Sequence, residues 1–294
     1  MLLGSMVAVV TPMDSDGAIN YADFQKLVDF HVRSGTQALV VAGTTGESAT
    51  LDHREHVSLL ERACELSAGR IPIIAGTGSN STKQTLELSK AVDQLPIVAF
   101  LVVTPYYNKP TQEGMLRHFS AVADAVSHPL ILYNVPGRTG VDLKPETVIK
   151  LAKHPNIDGI KEATGELGRV RALREGCGPE FSLLSGDDAT GCEFMLQGGN
   201  GVISVTANVA PAAMRRLCDA ATNGKRAEAE RIDSELRELH RTLFVESNPI
   251  PVKWALARMG MIGPHIRLPL TVLAPQHHET VVSAMATAGI KLPR

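Results

Sequence analysis

Short apolar segments that alternate with helical segments constrain the fold of this chain more than any other feature. Most of them are rich in β-branched residues, and all are continuous rather than alternating in hydrophobicity, as is typical of strands buried on both faces. Each one ends in small or polar residues. We predict eight strands, at Ser5–Val10, Ala38–Ala42, Ile71–Ala75, Ile97–Val103, Leu130–Tyr133, Ile157–Lys161, Phe181–Leu184 and Gly201–Val205.

The segments between these strands have the spacing of amphipathic helices. We predict helices at Tyr21–Ser34, Arg54–Ala68, Thr82–Asp93, Gln112–Ala125, Pro145–Lys153 and Gly168–Gly176. Asn20, Asp52 and Thr111 are suitable N-caps, and Pro145 suits a first helical turn. Strands that alternate with helices in this way predict an α/β fold, a parallel (β/α)8 TIM barrel, with a doubly wound open sheet as the alternative.

The pattern changes after Pro211, where strand-like segments stop. Helical spacing continues through Ala212–Ala221, Arg226–Phe244, Pro251–Met259 and Glu279–Ala288. We therefore predict two domains, a catalytic barrel over residues 1–224 and a C-terminal helical domain over residues 225–294.

Composition excludes several functional classes. A net charge of −2 over 294 residues argues against nucleic-acid or membrane-surface partners. No run of about 18 apolar residues predicts a transmembrane helix, and the first twelve residues do not resemble a signal peptide. The four cysteines are scattered, without metal-ligand spacing, which indicates reduced thiols. We expect a cytoplasmic protein with no metal and no cofactor.

Lys161 is the sharpest candidate for chemistry, because working groups of such barrels lie at the carboxyl ends of strands. It ends the predicted strand that begins at Ile157. Burial disfavours the charged form of an amine, and a neutral amine can attack a carbonyl carbon to form a Schiff base. The alternative is a buried ion pair with Glu162 or another carboxylate. A second lysine, Lys253, lies in the C-terminal helices and is expected at an interface or partly exposed.

Other strand ends carry groups that suit a substrate with two carboxylates. Tyr133, on the strand before Lys161, is either a packed aromatic or a proton carrier for an imine. Thr44 and Thr45 lie between two glycines, so they form either a carboxylate site or an ordinary turn. Arg138 suits a second carboxylate, with a surface ion pair as the alternative.

Three motifs together resemble a known family. They are Gly-Thr-Thr-Gly-Glu at 43–47, Tyr-Asn-Val-Pro-Gly-Arg-Thr-Gly at 133–140 and Gly-Ile-Lys-Glu-Ala at 159–163. As a set they resemble the pyruvate-dependent class I lyase superfamily, and within it most strongly the dihydrodipicolinate synthase (4-hydroxy-tetrahydrodipicolinate synthase) family. The resemblance extends from Ser5 to near the C-terminus and includes the segments 185–188, 201–205 and 249–254.

This resemblance implies a site for pyruvate. Lys161 would form an imine with the keto carbon. Thr45 and the backbone around Thr44 would hold the pyruvate carboxylate, and Gly186 and Ile203 would line the same pocket. The product would be 4-hydroxy-tetrahydrodipicolinate, on the diaminopimelate route of lysine biosynthesis.

The resemblance also implies the second substrate and the partners. Arg138 would bind the carboxylate of L-aspartate 4-semialdehyde. Tyr133, Thr44 and Tyr107 would form a proton relay, with Tyr107 supplied by a neighbouring subunit. We therefore expect a homo-oligomer, a tetramer built as a dimer of dimers.

Inhibition by L-lysine is a further property that the resemblance implies. The matching positions are Ser48, Ala49, His53, His56, Asn80, Gln84 and Tyr106. Position 84 departs from the lysine-sensitive pattern, which has Glu there, so we expect weakened inhibition. His53 and His56 are three residues apart and suit a metal pair, although surface or interface histidines are far more common.

Two alternative functions remain at this point. The first is an aldolase of the same superfamily that acts on N-acetylneuraminate or a 2-keto-3-deoxy sugar acid. Arg138 argues against it, because polyol substrates need a pocket that binds hydroxyl groups. The second is a catalytically silent barrel, which is expected to lack Lys161 or Tyr133, and both are present.

Overall fold

The eight apolar segments form the strands of a closed barrel in the computed structural model, which describes residues 1–293. The strands are β1 Gly4–Ala8, β2 Ala38–Val41, β3 Ile73–Gly76, β4 Ala99–Val103, β5 Leu130–Asn134, β6 Ile157–Glu162, β7 Ser182–Ser185 and β8 Gly201–Ser204. All pair in parallel in chain order, and β8 pairs directly with β1. This closure confirms the predicted TIM barrel and excludes the open sheet, whose edge strands would stay unpaired.

Helices follow the strands around the barrel and continue beyond it. They are α1 Tyr21–Ser34, α2 His53–Ser67, α3 Thr82–Val92, α4 Gln112–Ala123, α5 Pro136–Thr139, α6 Pro145–Leu151, α7 Gly168–Cys177, α8 Asp188–Leu196, α9 Pro211–Thr222, α10 Arg226–Thr242, α11 Ile250–Arg258 and α12 His278–Thr287. The predicted caps are confirmed. The Asn20 side chain accepts a hydrogen bond from Asp23 N at 3.0 Å, and Asp52 forms a reciprocal capping box with Glu55. Thr111 caps α4.

Two helices were not predicted. The residues of α8 are apolar on more than one face, because the helix packs between the barrel and the C-terminal helices, so it lacks a polar stripe. Its N-cap, Asp187, accepts a hydrogen bond from Thr190 N at 3.0 Å. The other helix that was not predicted, α5, is a single turn of four residues, too short for helical spacing to reveal.

The barrel has two apolar layers because neighbouring residues on a strand face opposite sides. Side chains that point inward form one cluster, which includes Met6, Val40, Leu101, Tyr133 and Ile203. Side chains that point outward form the larger cluster between the strands and the helices. Groups that project inward near the carboxyl ends of strands therefore share one small space.

The last three helices extend the outer layer. α10 packs on α8 and α9, α12 packs on α10, and their apolar side chains join the same outer cluster as the barrel helices. The division into domains at residues 224 and 225 stays a prediction. α10 is the longest helix, with 17 residues, and no helix within residues 1–293 combines the length and apolar character needed to cross a membrane.

Candidate active site

Lys161 and Tyr133 lie side by side inside the barrel. The register of β5 and β6 pairs Tyr133 with Lys161, so both side chains point to the interior. The Lys161 Nζ atom lies 4.3 Å from the centroid of the Tyr133 ring, whose face attracts a cation. Lys161 is only 6% exposed, and within residues 1–293 it forms no ion pair. The expected strand-end position is therefore observed, and a buried Lys161–carboxylate pair is not.

Glu162 is not the partner of Lys161, because the next residue on a strand faces the opposite side. Its carboxylate accepts hydrogen bonds from Asn134 Nδ2 at 3.1 Å and from Thr164 N at 2.8 Å, and it lies 3.7 Å from Arg169. Burial raises the pKa of Glu162, and these hydrogen bonds and Arg169 partly offset that rise. This outward network fixes the ends of β5 and β6, which carry Tyr133 and Lys161.

Gly186 and Ile203 complete the surroundings of the lysine. A Cβ atom at position 186 would lie 2.9 Å from Lys161 Cε and 2.6 Å from Ala163 Cβ. Only glycine therefore leaves room for the lysine side chain beside the end of β7. Ile203 belongs to the same interior cluster as Tyr133. The structure brings both of these sequence-predicted lining residues to the Lys161–Tyr133 pair.

The loop after β2 holds Thr44 and Thr45 in a constrained conformation. Ala42 and Glu47, which flank it, have φ values of 56° and 58°, in the left-handed region that L-residues rarely occupy. The hydroxyl of buried Thr45 accepts a hydrogen bond from Asn248 Nδ2 at 2.9 Å. Thr44 is half-buried. Such strain persists only where surrounding contacts fix the chain.

Lys253 supplies one of those contacts. It is 3% exposed, forms an ion pair with Glu47, and donates a hydrogen bond to Thr11 O at 3.0 Å. Glu47 also accepts a hydrogen bond from Arg267 N at 3.1 Å. Burial lowers the pKa of Lys253, and the Glu47 carboxylate opposes that shift. The expectation of an interface or partly exposed lysine was wrong, because α11 packs over the barrel and directs Lys253 at the β2 loop.

Arg138 lies in the single turn of α5 and is exposed. Its Nη2 atom donates a hydrogen bond to the main-chain oxygen of Asn248 at 3.2 Å. It forms no ion pair within residues 1–293, so its remaining N–H groups can bind an anion. Arg138 and Thr44 both line a cavity of about 630 Å³. The two candidate carboxylate-binding groups therefore lie at one end of the barrel.

The same cavity continues into the predicted lysine cleft. Among the positions matched to lysine binding, its lining includes Ser48, Ala49, His53, His56, Gln84 and Tyr106. Asn80 is not among the residues that line the cavity, and its main-chain oxygen accepts a hydrogen bond from Asn108 Nδ2 at 2.9 Å. Glu87, which the sequence did not indicate, also lines the cavity.

Gln84 and His56 already have partners in this cleft. Gln84 Oε1 accepts a hydrogen bond from Ser79 Oγ at 2.9 Å. His56 Nε2 lies 2.6 Å from the Gly76 carbonyl oxygen, and burial lowers the pKa of this imidazole. This contact engages Nε2 and leaves Nδ1 of His56 as its other ring nitrogen, but no group of three or more His, Cys, Asp or Glu side chains within residues 1–293 is arranged to hold a metal ion.

Tyr107 is the one candidate catalytic residue that a single chain does not place in the barrel with the others. Its side chain is 89% exposed, and its φ of 72° lies in the left-handed region that L-residues rarely occupy. Tyr106 beside it is partly exposed. The chain thus places Lys161, Tyr133, Thr44 and Thr45 at the carboxyl end of the barrel strands but leaves Tyr107 in solvent.

Two contacts of the β2 loop were not predicted from the sequence: the Asn248–Thr45 hydrogen bond and the Lys253–Glu47 ion pair. Asn248 precedes Pro249 in a segment that the family resemblance covers, but no local spacing connects it to Thr45, 203 positions earlier. Only the three-dimensional packing of α11 on the β2 loop reveals both contacts.

Known proteins share this architecture and sequence. The dihydrodipicolinate synthetase family model matches residues 1–288. The 4-hydroxy-tetrahydrodipicolinate synthase of Thioalkalivibrio sulfidiphilus is 57% identical over 292 residues, which cover 99% of each chain.

Two crystal structures superpose closely on this chain. The chloride-inhibited dihydrodipicolinate synthase from Acinetobacter baumannii, complexed with pyruvate, has a TM-score of 0.97 and 50% identity, over 99% of this chain and 100% of that chain. The enzyme from Cyanidioschyzon merolae with lysine bound has a TM-score of 0.94 and 40% identity, over 98% of each chain. Because the fold, the three motifs and the whole length agree, the chain belongs to the dihydrodipicolinate synthetase family.

Proposed function

We propose that this protein is a lyase that condenses pyruvate with L-aspartate 4-semialdehyde to give 4-hydroxy-tetrahydrodipicolinate, for lysine biosynthesis through diaminopimelate. The observation that carries the proposal is the buried Lys161 amine, 4.3 Å from the Tyr133 ring and without a carboxylate partner within residues 1–293. The 57% identity to a 4-hydroxy-tetrahydrodipicolinate synthase supports the same reaction.

Lys161 begins the reaction as the nucleophile. Its neutral Nζ attacks the keto carbon of pyruvate, and one water molecule leaves as the imine forms. The imine withdraws electrons from the pyruvate methyl carbon, which loses a proton and becomes an enamine. Tyr133, against which Nζ packs, transfers these protons. Thr45, with the backbone around Thr44, holds the pyruvate carboxylate.

The second half of the reaction forms the carbon–carbon bond. The enamine carbon attacks the aldehyde carbon of L-aspartate 4-semialdehyde, while Arg138 holds the carboxylate of that substrate. The amine of the substrate then attacks the imine carbon and displaces Lys161. This step closes the ring and returns Lys161 as a free amine. Apart from the one water, no atom is lost.

Tyr107 completes the proton relay from a neighbouring subunit in this proposal. Tyr107 is 89% exposed and has a left-handed φ of 72°, and strained positions of this kind cluster at functional sites. We therefore propose a homotetramer, built as a dimer of dimers, in which each Tyr107 contacts the adjacent Tyr133 and Thr44. Sedimentation of wild type and a Tyr107→Ala variant measures the assembly, and a monomeric active wild type would contradict this part.

L-Lysine is the proposed inhibitor, bound weakly in the cavity beside the site. Gln84 presents a neutral amide that already accepts from Ser79, so it supplies no charge for a ligand ammonium. Gln84→Glu should lower the lysine concentration for half-inhibition about tenfold, because a charged hydrogen bond replaces a neutral one. Gln94→Glu, on the exposed surface near the end of α3, is the control with the same charge change. Equal lysine sensitivity of wild type and Gln84→Glu would contradict the assignment.

The cytoplasm is the proposed location, because the protein has free thiols. Cys64, Cys177, Cys192 and Cys218 are all unpaired. Burial raises the pKa of Cys64 to about 11 and that of Cys192 to about 12, so these thiols stay protonated and unreactive. Thiols of this kind fit a reducing compartment.

The reaction is tested by supplying pyruvate and L-aspartate 4-semialdehyde and following both by mass spectrometry. We expect equal consumption of the two substrates and a product with the mass of their sum less one water. Cleavage of N-acetylneuraminate or a 2-keto-3-deoxy sugar acid, without condensation, would instead identify the sugar-acid aldolase. Turnover of neither substrate set would contradict the proposed enzyme class.

A further inference from the structure

Asn248 contacts both side chains that are proposed to bind carboxylates. Its Nδ2 atom donates a hydrogen bond to Thr45 Oγ1 at 2.9 Å, and its main-chain oxygen accepts one from Arg138 Nη2 at 3.2 Å. Asn248 is 5% exposed and lies just before α11. One residue of the C-terminal region thus connects the β2 loop with the turn after β5.

In this amide orientation Asn248 Nδ2 donates to Thr45 Oγ1, and Asn248 Oδ1 is buried without a hydrogen-bond partner within residues 1–293. An amide nitrogen only donates, so Thr45 Oγ1 accepts in this bond and its own hydrogen must point elsewhere. Within residues 1–293, that hydroxyl has no acceptor. Because Thr45 is buried, bulk water does not satisfy the hydrogen either. The hydroxyl is left as an unused donor at the site.

A second pair of residues holds the two segments together. Glu47 lies two residues after Thr45, Lys253 lies five residues after Asn248, and the two form a buried ion pair. The contact at Asn248 is therefore the second of two attachments between the β2 loop and the start of α11. This arrangement limits the movement of Thr45 relative to Asn248.

We propose that Asn248 is a positioning residue that keeps the Thr45 hydroxyl as a hydrogen-bond donor to the pyruvate carboxylate, while its main-chain oxygen steadies Arg138. This inference rests on the proposed function and adds a residue to its carboxylate site. The Arg138 contact uses the main chain, so side-chain variants at 248 leave it in place. Asn248→Ala therefore reports on Thr45, whereas Asn248→Asp reports on Thr45 and on the added charge together.

Asn248→Asp is the decisive variant because it keeps the shape of the side chain and reverses the hydrogen bond. A carboxylate only accepts, so Thr45 would turn its hydrogen towards Asp and lose it for pyruvate. The new charge also repels the pyruvate carboxylate. Asn248→Ala removes the partner without reversing the bond, and Asn223→Asp, exposed at the end of α9, controls for the change in charge.

The measurement is steady-state kinetics with pyruvate varied, together with the pyruvate dependence of borohydride trapping. Asn248→Asp should raise the pyruvate KM about 30-fold or more, and Asn248→Ala about 3- to 10-fold. In both variants kcat should change less than KM, and Asn223→Asp should match wild type. Thr45→Val should raise KM about tenfold on its own and remove the effect of Asn248→Ala, because the two residues act through one bond.

Several results would overturn the inference. One is a pyruvate KM of Asn248→Asp that equals that of wild type. Another is an equal rise of the pyruvate KM in Asn248→Ala and Asn248→Asp that accompanies a fall in melting temperature. If both variants fail to fold, Thr45→Ser, which keeps the hydroxyl, must retain KM within about threefold while Thr45→Val does not. Equal KM values in those two Thr45 variants overturn it as well. A wild-type protein that traps no pyruvate removes this inference together with the proposed function, whereas a trapping wild type with an unaffected Asn248→Asp removes this inference alone.

Discussion

Lys161 and Lys253 are buried to nearly the same extent, at 6% and 3% exposed, but their surroundings are opposite. Lys253 has the Glu47 carboxylate and the Thr11 carbonyl as partners. Lys161 lies over the ring of Tyr133 and has no carboxylate partner within residues 1–293. Burial alone therefore does not identify a reactive amine. The missing countercharge does, because the Nζ of an ion-paired lysine is engaged by its carboxylate, whereas an unpaired Nζ is free to approach a carbonyl carbon.

The two lysines also act on the site in different ways. Lys161 projects from β6 into the barrel, next to Gly186. Lys253 reaches from α11 to Glu47 and so fixes the strained loop that holds Thr45. One lysine is proposed for chemistry, and the other holds the loop of Thr45 in shape. Variants that separate these two roles test the difference directly.

Lys161→Met should produce the largest effect on activity. Methionine preserves the length and apolar stem but cannot form an imine, so kcat/KM should fall by at least about 10³-fold. The melting temperature should stay the same or rise, because an unpaired buried amine is removed. Steady-state kinetics and thermal unfolding measure both quantities. A variant that loses stability but keeps activity would reverse the assigned roles.

Lys253→Met should have the opposite signature. It leaves the Glu47 carboxylate buried without its countercharge, so we expect a loss of about 3–5 kcal/mol in the free energy of unfolding. The protein that remains folded should still form an imine at Lys161. The double variant Lys253→Met/Glu47→Gln should recover most of the stability, as measured by denaturant unfolding. A fully stable Lys253→Met variant would contradict the structural role.

Gly186→Ala tests how strongly imine formation depends on the position of the Lys161 side chain. The added methyl group would lie 2.9 Å from Lys161 Cε and 2.6 Å from Ala163 Cβ, so the lysine must move. A displacement of this size should slow imine formation about 10- to 100-fold. Gly168→Ala, at the start of α7 with open space around it, is the matched control. Equal trapping rates in the two variants would show that the lysine needs no such alignment.

The smallest predicted effect is the acid sensitivity that His31 gives to the free energy of unfolding. It limits the pH range in which the stabilities of the lysine variants can be compared. Burial of His31 lowers its pKa to about 3, whereas an unfolded histidine has a pKa of about 6.5. Below pH 6.5 the unfolded chain binds a proton that the folded chain does not, so stability falls as the pH decreases. The loss from His31 should be about 1.4 kcal/mol at pH 5.5.

His31→Gln should remove that part of the acid sensitivity. The measurement is the difference in free energy of unfolding between pH 7.5 and pH 5.5, taken within each variant so that baseline stability cancels. Wild type should lose about 1.4 kcal/mol more than His31→Gln. Equal losses would mean that the imidazole is protonated in the folded chain. His118, whose pKa burial lowers to about 4, contributes in the same direction and remains in both proteins.

The barrel could be predicted from local sequence because strands buried on both faces leave a clear pattern. All eight predicted strands lie within two residues of the observed bounds at each end. The caps at Asn20, Asp52 and Thr111 were also found, since capping depends on residues close in sequence. The α8 helix was not predicted because it is buried on several sides and has no polar stripe.

The candidate site could be predicted only in part. Lys161 and Tyr133 were found because a strand end fixes where each points, and the same alternation turns Glu162 away. Lys253 and Asn248 depend on how α11 packs on a loop about 200 residues earlier, and no sequence period reports that contact. The catalytic roles of these residues stay predictions.

The most direct test is to trap the imine. Wild type, Lys161→Met and Lys253→Met are incubated with pyruvate and borohydride, and the modified peptide is located by mass spectrometry. We predict a reduced pyruvyl adduct on Lys161 in wild type and in folded Lys253→Met, and none in Lys161→Met. An adduct on Lys253, or any pyruvyl adduct in Lys161→Met, would contradict the assignment of the unpaired lysine as the nucleophile.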